Sequence, residues 1–241
     1  MDLADYDSTH FNYQKYWTGR DYENLAEQQA IKKLVPKKCQ KFIDVGGGFG
    51  RNLKDLLNRC QSAVLLDYST ENLTKAREFL KDDQVTYVRG DVYKLPFPDN
   101  SFDSGMMIRV MHHLEEPELA LKEIYRVMAP GSTFILEFAN KNHFKALLKH
   151  GRHFAADKTP YNQLTADSGV FLNFHPEHIL KILNDLNWKV VATLSVSNFR
   201  SPVIKKIIPG RVLSSLDNLV HKPLGKLYFG PSIFIKLVKT I

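Results

Sequence analysis

Residues 42–52 read FIDVGGGFGRN, with four glycines between positions 46 and 50 directly behind an apolar run that carries an acid. A glycine-rich turn at the end of a first strand lets a ligand approach the backbone and brings N–H groups to it. That confines the chain to α/β folds in which a strand feeds a ligand-binding loop.

The loop itself separates the nucleotide cofactors held this way. A dinucleotide site wants G-x-G-x-x-G, and Gly46 and Gly48 supply its first two positions, but the third is Arg51. A large cation there opposes close packing of helix on strand. No G-x-x-x-x-G-K-[ST] loop occurs either. What fits is D-x-G-x-G-x-G, in Asp44, Gly46, Gly48 and Gly50. A carboxylate at the strand's end accepts hydrogen bonds from an ammonium group and repels a pyrophosphate. The second apolar run ends in Asp67-Tyr68, where an acid can take both hydroxyls of a ribose. The third ends in Gly90-Asp91-Val92, within reach of an adenine amine.

Around this loop, strand and helix patterns alternate. NLAEQQAIKKLV (24–35) has helical spacing; KFIDVG, SAVLLDYS, VTYVRGD, SFDSGMMIRV and STFILEFAN read as five strands. RNLKDLLNRC, STENLTKAREFL (capped by Ser69 or Thr70) and EEPELALKEIYRVM read as the helices between them. KNHFKALLKHGRHF is expected to be helical, the stretch onward to Gly169 irregular, HPEHILKILNDLNW a helix and KVVATLSVSN and GPSIFIKLVK the last strands. Apolar strands alternating with helices imply a parallel sheet covered on both faces.

The segments DVGGGFG, LLDYS, GDVYKLPFPDNSFD, MIRVMHHLEEP and VMAPGSTFILEF, in that order over residues 40–140, resemble the class I S-adenosylmethionine-dependent methyltransferases, in the branch that includes the ubiquinone and menaquinone methyltransferases. The resemblance implies an α/β, Rossmann-like, seven-stranded mostly parallel sheet with helices on both faces and an antiparallel last strand. It implies S-adenosyl-L-methionine as cofactor and S-adenosyl-L-homocysteine as product. Asp44, Gly46 and Gly48 would lie at the amino-acid end of the cofactor, Asp67 and Tyr68 at the ribose, and Asp91 and Val92 at the adenine. The backbone of Arg109 would line the methionyl portion. In such enzymes an aromatic leading segment folds over the cofactor, and here Tyr16 and Arg20, within YQKYWTGRDYEN, would close on its carboxylate. The expected organisation is one domain over 1–241: an N-terminal lid at 1–35, a cofactor-binding half at 36–140, and substrate-side insertions at 141–174 and 200–228.

Methyl transfer from a sulfonium is an in-line displacement that needs positioning and exclusion of water, with a base only for an acidic oxygen or carbon nucleophile. No base stands out. His112, His113 and Tyr161 are the candidates, weighed against packing or capping for the histidines and an exposed loop for the tyrosine; His175 before Pro176 reads as a helix cap. A rival from another class is a non-catalytic cofactor-binding regulator; an RNA or protein methyltransferase and a nicotinamide oxidoreductase are further alternatives.

The acceptor side is less specified. The net charge of +7 lies entirely in residues 198–241, where eight basic residues face one acid, Asp217. Within it RVLSSLDNLVHK carries Val212, Leu213, Leu216, Leu219 and Val220 on one face. Three readings compete: a lid over a small-molecule acceptor, a peripheral membrane-surface element serving a hydrophobic or lipid-linked acceptor, and a nucleic-acid contact, the last disfavoured because stacking aromatics are few. The 44% hydrophobic content supports a large core, and no run reaches 18 apolar residues. The leading segment has no apolar core of a secretory signal, and Cys39 and Cys60 lack metal-like spacing and read as free thiols, so the expected location is cytoplasmic or peripheral at a membrane.

Overall fold

The structure, a computed structural model, describes residues 13–148, 157–166 and 169–240. Five strands run parallel: β1 (Cys39–Val45), β2 (Cys60–Asp67), β3 (Val85–Arg89), β4 (Phe102–Met107) and β5 (Met128–Ala139). β6 (Tyr161–Ala166) and β7 (Gly169–Phe174) make a separate antiparallel hairpin. β8 (Trp188–Val196) and β9 (Ser232–Lys239) complete the main sheet, whose order is β3-β2-β1-β4-β5-β9-β8. Only β9 opposes its neighbours, pairing antiparallel with both β5 and β8. This is the seven-stranded Rossmann-like sheet expected, with its reversed strand closing the chain.

Period-two alternation divides the strand side chains between two cores. Phe42, Ala63, Leu65, Ile135 and Phe234 face α2 (Asp21–Leu34), α3 (Thr70–Leu80) and, later in the chain, the long C-terminal helix. Ile43, Val64, Leu66, Leu136 and Ile235 face α4 (Pro117–Val127) and α5 (Pro176–Asp185) on the other side. A short α1 (Tyr13–Tyr16) precedes α2; α6 (Pro202–Ile207) and α7 (Gly210–Lys226) form the C-terminal insertion. The caps follow the sequence. Ser69 Oγ accepts from Asn72 N–H at 3.1 Å to start α3, and His175 Nδ1 accepts from Glu177 N–H at 3.2 Å to start α5, with Pro117 and Pro176 in first turns.

Two expectations fail. RNLKDLLNRC is not an α-helix but a 3-10 segment, Lys54–Arg59, because β2 already begins at Cys60 and the stretch is too short to propagate α-helical turns. The irregular stretch before Gly169 holds the β6–β7 hairpin, anchored where Lys141 N–H donates to Phe174 O at 3.0 Å. Buried Lys141 also reaches Asp157 Oδ2 at 2.7 Å, across the base of the hairpin. Of the helix expected from KNHFKALLKHGRHF only 144–148 is observed; 149–154 lies outside the described residues, as does the leading segment before Tyr13. α7 carries the apolar positions read from the sequence and turns most of them to solvent, an outcome taken up below.

Candidate cofactor and acceptor site

Strand order reverses between β1 and β4, the place where open α/β sheets leave a crevice at their carboxyl ends. The glycine loop emerges there. Gly46 and Gly47 both donate to Leu66 O, at 2.7 and 3.1 Å, which folds the loop against the end of β2. Gly46 adopts φ +67, and a Cβ on it would stand 2.3 Å from Val110 Cγ2. Any side chain at this position collides with the segment after β4.

Asp67 ties three elements together. Its Oδ2 accepts from Gly48 N–H at 2.8 Å, and its Oδ1 accepts from Ser69 N–H at 3.0 Å and from Asn72 Nδ2 at 3.3 Å. Gly90 N–H donates to Asp67 O at 3.2 Å, which sets the end of β3, with Asp91 and Val92, beside it. Asp91 is half-buried and its Oδ1 accepts from Tyr93 N–H at 2.9 Å, while the Val92 side chain enters the core. Tyr68 is exposed, its carbonyl accepting from Arg89 Nε at 3.1 Å.

Asp44, at the end of β1, is buried, and its Oδ2 has no hydrogen-bond partner among the described residues. Burial pushes its carboxyl up to about 7, the Asp67 charge adding to the rise and Arg51 opposing it. An orphaned buried carboxylate oxygen beside a glycine loop is the acceptor that a cationic ligand group completes.

The leading aromatics reach the loop through arginines. Arg51 turns away from the sheet: Nη2 donates to Glu27 Oε2 at 2.7 Å, Nη1 donates to Asn24, and the guanidinium stacks 3.6 Å over the Trp17 ring. Arg109 sits at φ +60 just past β4, with its N–H donating to Glu137 Oε2 at 2.8 Å. Its Nη1 donates to Glu27 Oε1 at 2.9 Å and its Nη2 to Tyr16 Oη at 2.9 Å. Arg20 stacks 4.0 Å over the Tyr16 ring. Burial pushes the Glu27 carboxyl up, but Arg109, Arg51 and Arg200 outweigh it and hold the group below the ordinary range. Glu137 goes the other way: burial lifts it more than Arg109 and Ser232 Oγ, 2.6 Å from its Oε1, lower it.

His112 and His113 form a 3-10 turn after β4 with ring centroids 4.1 Å apart, and both lie 5.2 Å from the Phe171 ring of β7. Burial drives both pKa values down, His112 well below its usual value and His113 to about 4, with Arg109 contributing. Both rings are therefore neutral at pH 7 and packed under the hairpin. Tyr161 lies on β6, exposed, edge-on to Phe174 at 6.1 Å rather than in an irregular loop.

Sequence reasoning missed three members of this arrangement. Glu27 looks like the polar side of an amphipathic helix, and nothing in its neighbourhood marks it as buried. Glu137 gives a signal, an acid inside the apolar run FILEFA. Arg200, after β8, carries Nε and Nη2 atoms that are shut off from solvent without a hydrogen-bond partner among the described residues. Burial, and Arg109 beside it, lower its pKa, against the pull of Glu27, Glu137 and Glu23.

A methyltransferase domain family matches residues 43–136. The match spans β1 through β5, the strands that carry Asp44, the glycine loop, Asp67, Asp91 and Arg109. The chain resembles the class I S-adenosylmethionine-dependent methyltransferases. A ubiquinone/menaquinone biosynthesis C-methyltransferase of Roseobacter denitrificans is 28% identical over 183 residues, 68% of this chain and 72% of that protein. The cycloartenol-C-24-methyltransferase of Arabidopsis thaliana is 31% identical over 132 residues, but the match covers 52% of this chain and only 39% of the plant protein. An S-adenosylmethionine-dependent methyltransferase structure from Thermotoga maritima superposes with a TM-score of 0.64 at 21% identity, covering 95% of each chain, which supports the fold. The cofactor of this family is S-adenosylmethionine, and the orphaned Asp44 oxygen fits its ammonium group.

Proposed function

We propose that the protein transfers the methyl group of S-adenosylmethionine to a small hydrophobic or lipid-linked acceptor. The observation that carries the reading is Asp44: a buried carboxylate oxygen, without a partner among the described residues, at the mouth of a D-x-G-x-G-x-G loop. A nicotinamide cofactor places a pyrophosphate at such a loop, which a carboxylate repels; a methionyl ammonium is attracted. Asp44 and the glycine loop hold the amino-acid end, Asp67 the ribose and Asp91 with Val92 the adenine. Arg200, with two donors that lack partners among the described residues, supports an anionic group on the bound ligands.

The cofactor supplies an already activated methyl group, so the chain's task is alignment and exclusion of water. Phe171, stacked on His112 and tilted against His113, supports a lid role for the β6–β7 hairpin. A histidine with a pKa near 4 is a feeble base, which favours a packing role for His113 in this arrangement. The two sequence relatives named above are C-methyltransferases by name, which supports carbon as the acceptor atom.

Calorimetric titration with S-adenosylmethionine, S-adenosylhomocysteine and NAD tests the reading. Micromolar binding of the two sulfur nucleosides, none of NAD, and at least a tenfold loss in Asp67→Ala are expected. An Asp67→Ala protein of unchanged affinity removes the ribose assignment; NAD binding in place of the sulfur nucleosides overturns the reading altogether. Formation of S-adenosylhomocysteine with quinone-like or lipid-linked acceptors then separates an enzyme from a binding protein.

A further inference from the structure

The C-terminal insertion packs inside out. Helix α7 turns Leu213, Ser214, Asp217, His221 and Gly225 to the protein, mostly small or polar residues. Their contacts are specific. Asp217 Oδ2 accepts from Ser197 N–H at 2.7 Å and stands 3.1 Å from His221 Nε2, while its Oδ1 accepts from Asn198 N–H at 3.0 Å and Asn198 Nδ2 at 2.7 Å. Gly225 lies so close to β8 that a Cβ there would be 2.3 Å from Thr193 O. The outer face therefore has a fixed orientation. Val212, Leu216 and Leu219, at i, i+4 and i+7, form one stripe that points to solvent. Leu219 is 75% exposed, Leu227 just past the helix 72%, and Ile207 on the preceding α6 75%.

Lys206, Arg211, Lys222 and Lys226 share the exposed side of α6 and α7, and none makes an ion pair among the described residues. The only side-chain carboxylate between residues 198 and 241 is Asp217, and it is buried. The outer surface of the insertion thus combines large aliphatic side chains with positive charge undiluted by negative side chains.

We propose that this face docks on an anionic lipid surface. The charge selects an anionic partner and opposes a second copy of the chain, whose own cations would meet these at a symmetric contact. The apolar groups are valine, isoleucine and leucine, which enter the acyl boundary of a bilayer, whereas single-stranded nucleic acid requires aromatic platforms. Among the described residues no helix is long and apolar enough to cross a membrane, so the contact lies in the interface plane. Docking brings a lipid-dissolved acceptor to the protein, and in that consequence alone it rests on the function proposed above.

The test is sedimentation of the full chain with vesicles of pure phosphatidylcholine and of phosphatidylcholine with phosphatidylglycerol, without cofactor. Binding is expected to need the anionic lipid and to weaken with salt. Leu216→Ser with Leu219→Ser should lower the partition coefficient at least tenfold. Lys222→Glu with Lys226→Glu should remove the preference for anionic vesicles, each lysine contributing roughly fivefold. Both double variants alter exposed side chains, so their melting temperatures and S-adenosylhomocysteine affinity should match the parent. Failure to bind either vesicle, or binding that neither variant changes, overturns the proposal. So does a dimer, or RNA binding, that the same variants abolish while the parent ignores lipid. Cofactor titration is read without vesicles and vesicle binding without cofactor, so either reading can fail alone.

Discussion

At the scale of single residues the site is governed by which buried charges have partners. Asp67 and Glu27 are satisfied by the chain; Asp44 Oδ2 has no partner among the described residues. A carboxyl held near 7 in the folded chain and near about 3.9 when unfolded binds its proton more tightly in the fold. Stability is therefore lost as pH rises from about 4 to 7, and the whole penalty stands above 7. Asp44→Asn should raise the melting temperature at pH 8, by roughly 1 to 4 kcal/mol of stability, with the gain vanishing near pH 4. The same change should weaken S-adenosylmethionine at least tenfold and abolish the fall in affinity expected of the parent below pH 7. Scanning calorimetry and titrations between pH 5.5 and 8.5 read both; a variant less stable than its parent at pH 8 would falsify the burial penalty. Asp44 was legible because the loop motif names it. Glu27 was not, because its burial is created by Arg51 and Arg109, distant in sequence, and leaves no mark on its own helix.

Elements show where periodicity informs and where it fails. Strands buried on both faces read directly from their apolar runs, and α3 and α5 from their caps. The hairpin escaped because its first strand, YNQLTA, is polar, and two strands alone have little stability in water. It is held from outside instead, by buried Phe174, by Lys141 and by Phe171 on the histidines. That support has a measurable consequence. Phe171 covers His113, whose pKa falls chiefly through burial. Phe171→Ala should admit water and move the His113 titration upward from about 4, by a unit or more toward the ordinary value near 6.5. NMR titration of the imidazole carbons follows it. An unmoved His113 would mean that the β4 turn alone buries the ring and that the hairpin only rests on it.

On the scale of the whole molecule the sheet order gathers the carboxyl ends of β1 to β5 on one edge, and the segments outside the sheet then determine what closes over it. The parallel half was legible because each strand carries its own signal. The placement of the leading segment was not, since it depends on stacking between residues more than thirty positions apart. Trp17 lies flat on Arg51, which follows the glycine loop, and Tyr16 holds Arg109 beyond β4. Two carriers of the site are thus bridged by one short segment through cation–π and hydrogen-bond contacts. A desolvated cation–π contact contributes about 2 kcal/mol. If the segment orders the loop for the cofactor, Trp17→Ala should weaken S-adenosylhomocysteine by about tenfold to thirtyfold, the same energy expressed as affinity. Trp17→Phe, which keeps an aromatic face for Arg51, should recover most of it. The chain has two tryptophans, and Trp188 is buried against Tyr125 and Phe134 on the far core. Emission changes on titration should therefore come from Trp17 and vanish in Trp17→Phe while binding persists. If Trp17→Ala binds as tightly as the parent, the leading segment only packs on the loop, and the cofactor is held by the sheet edge alone.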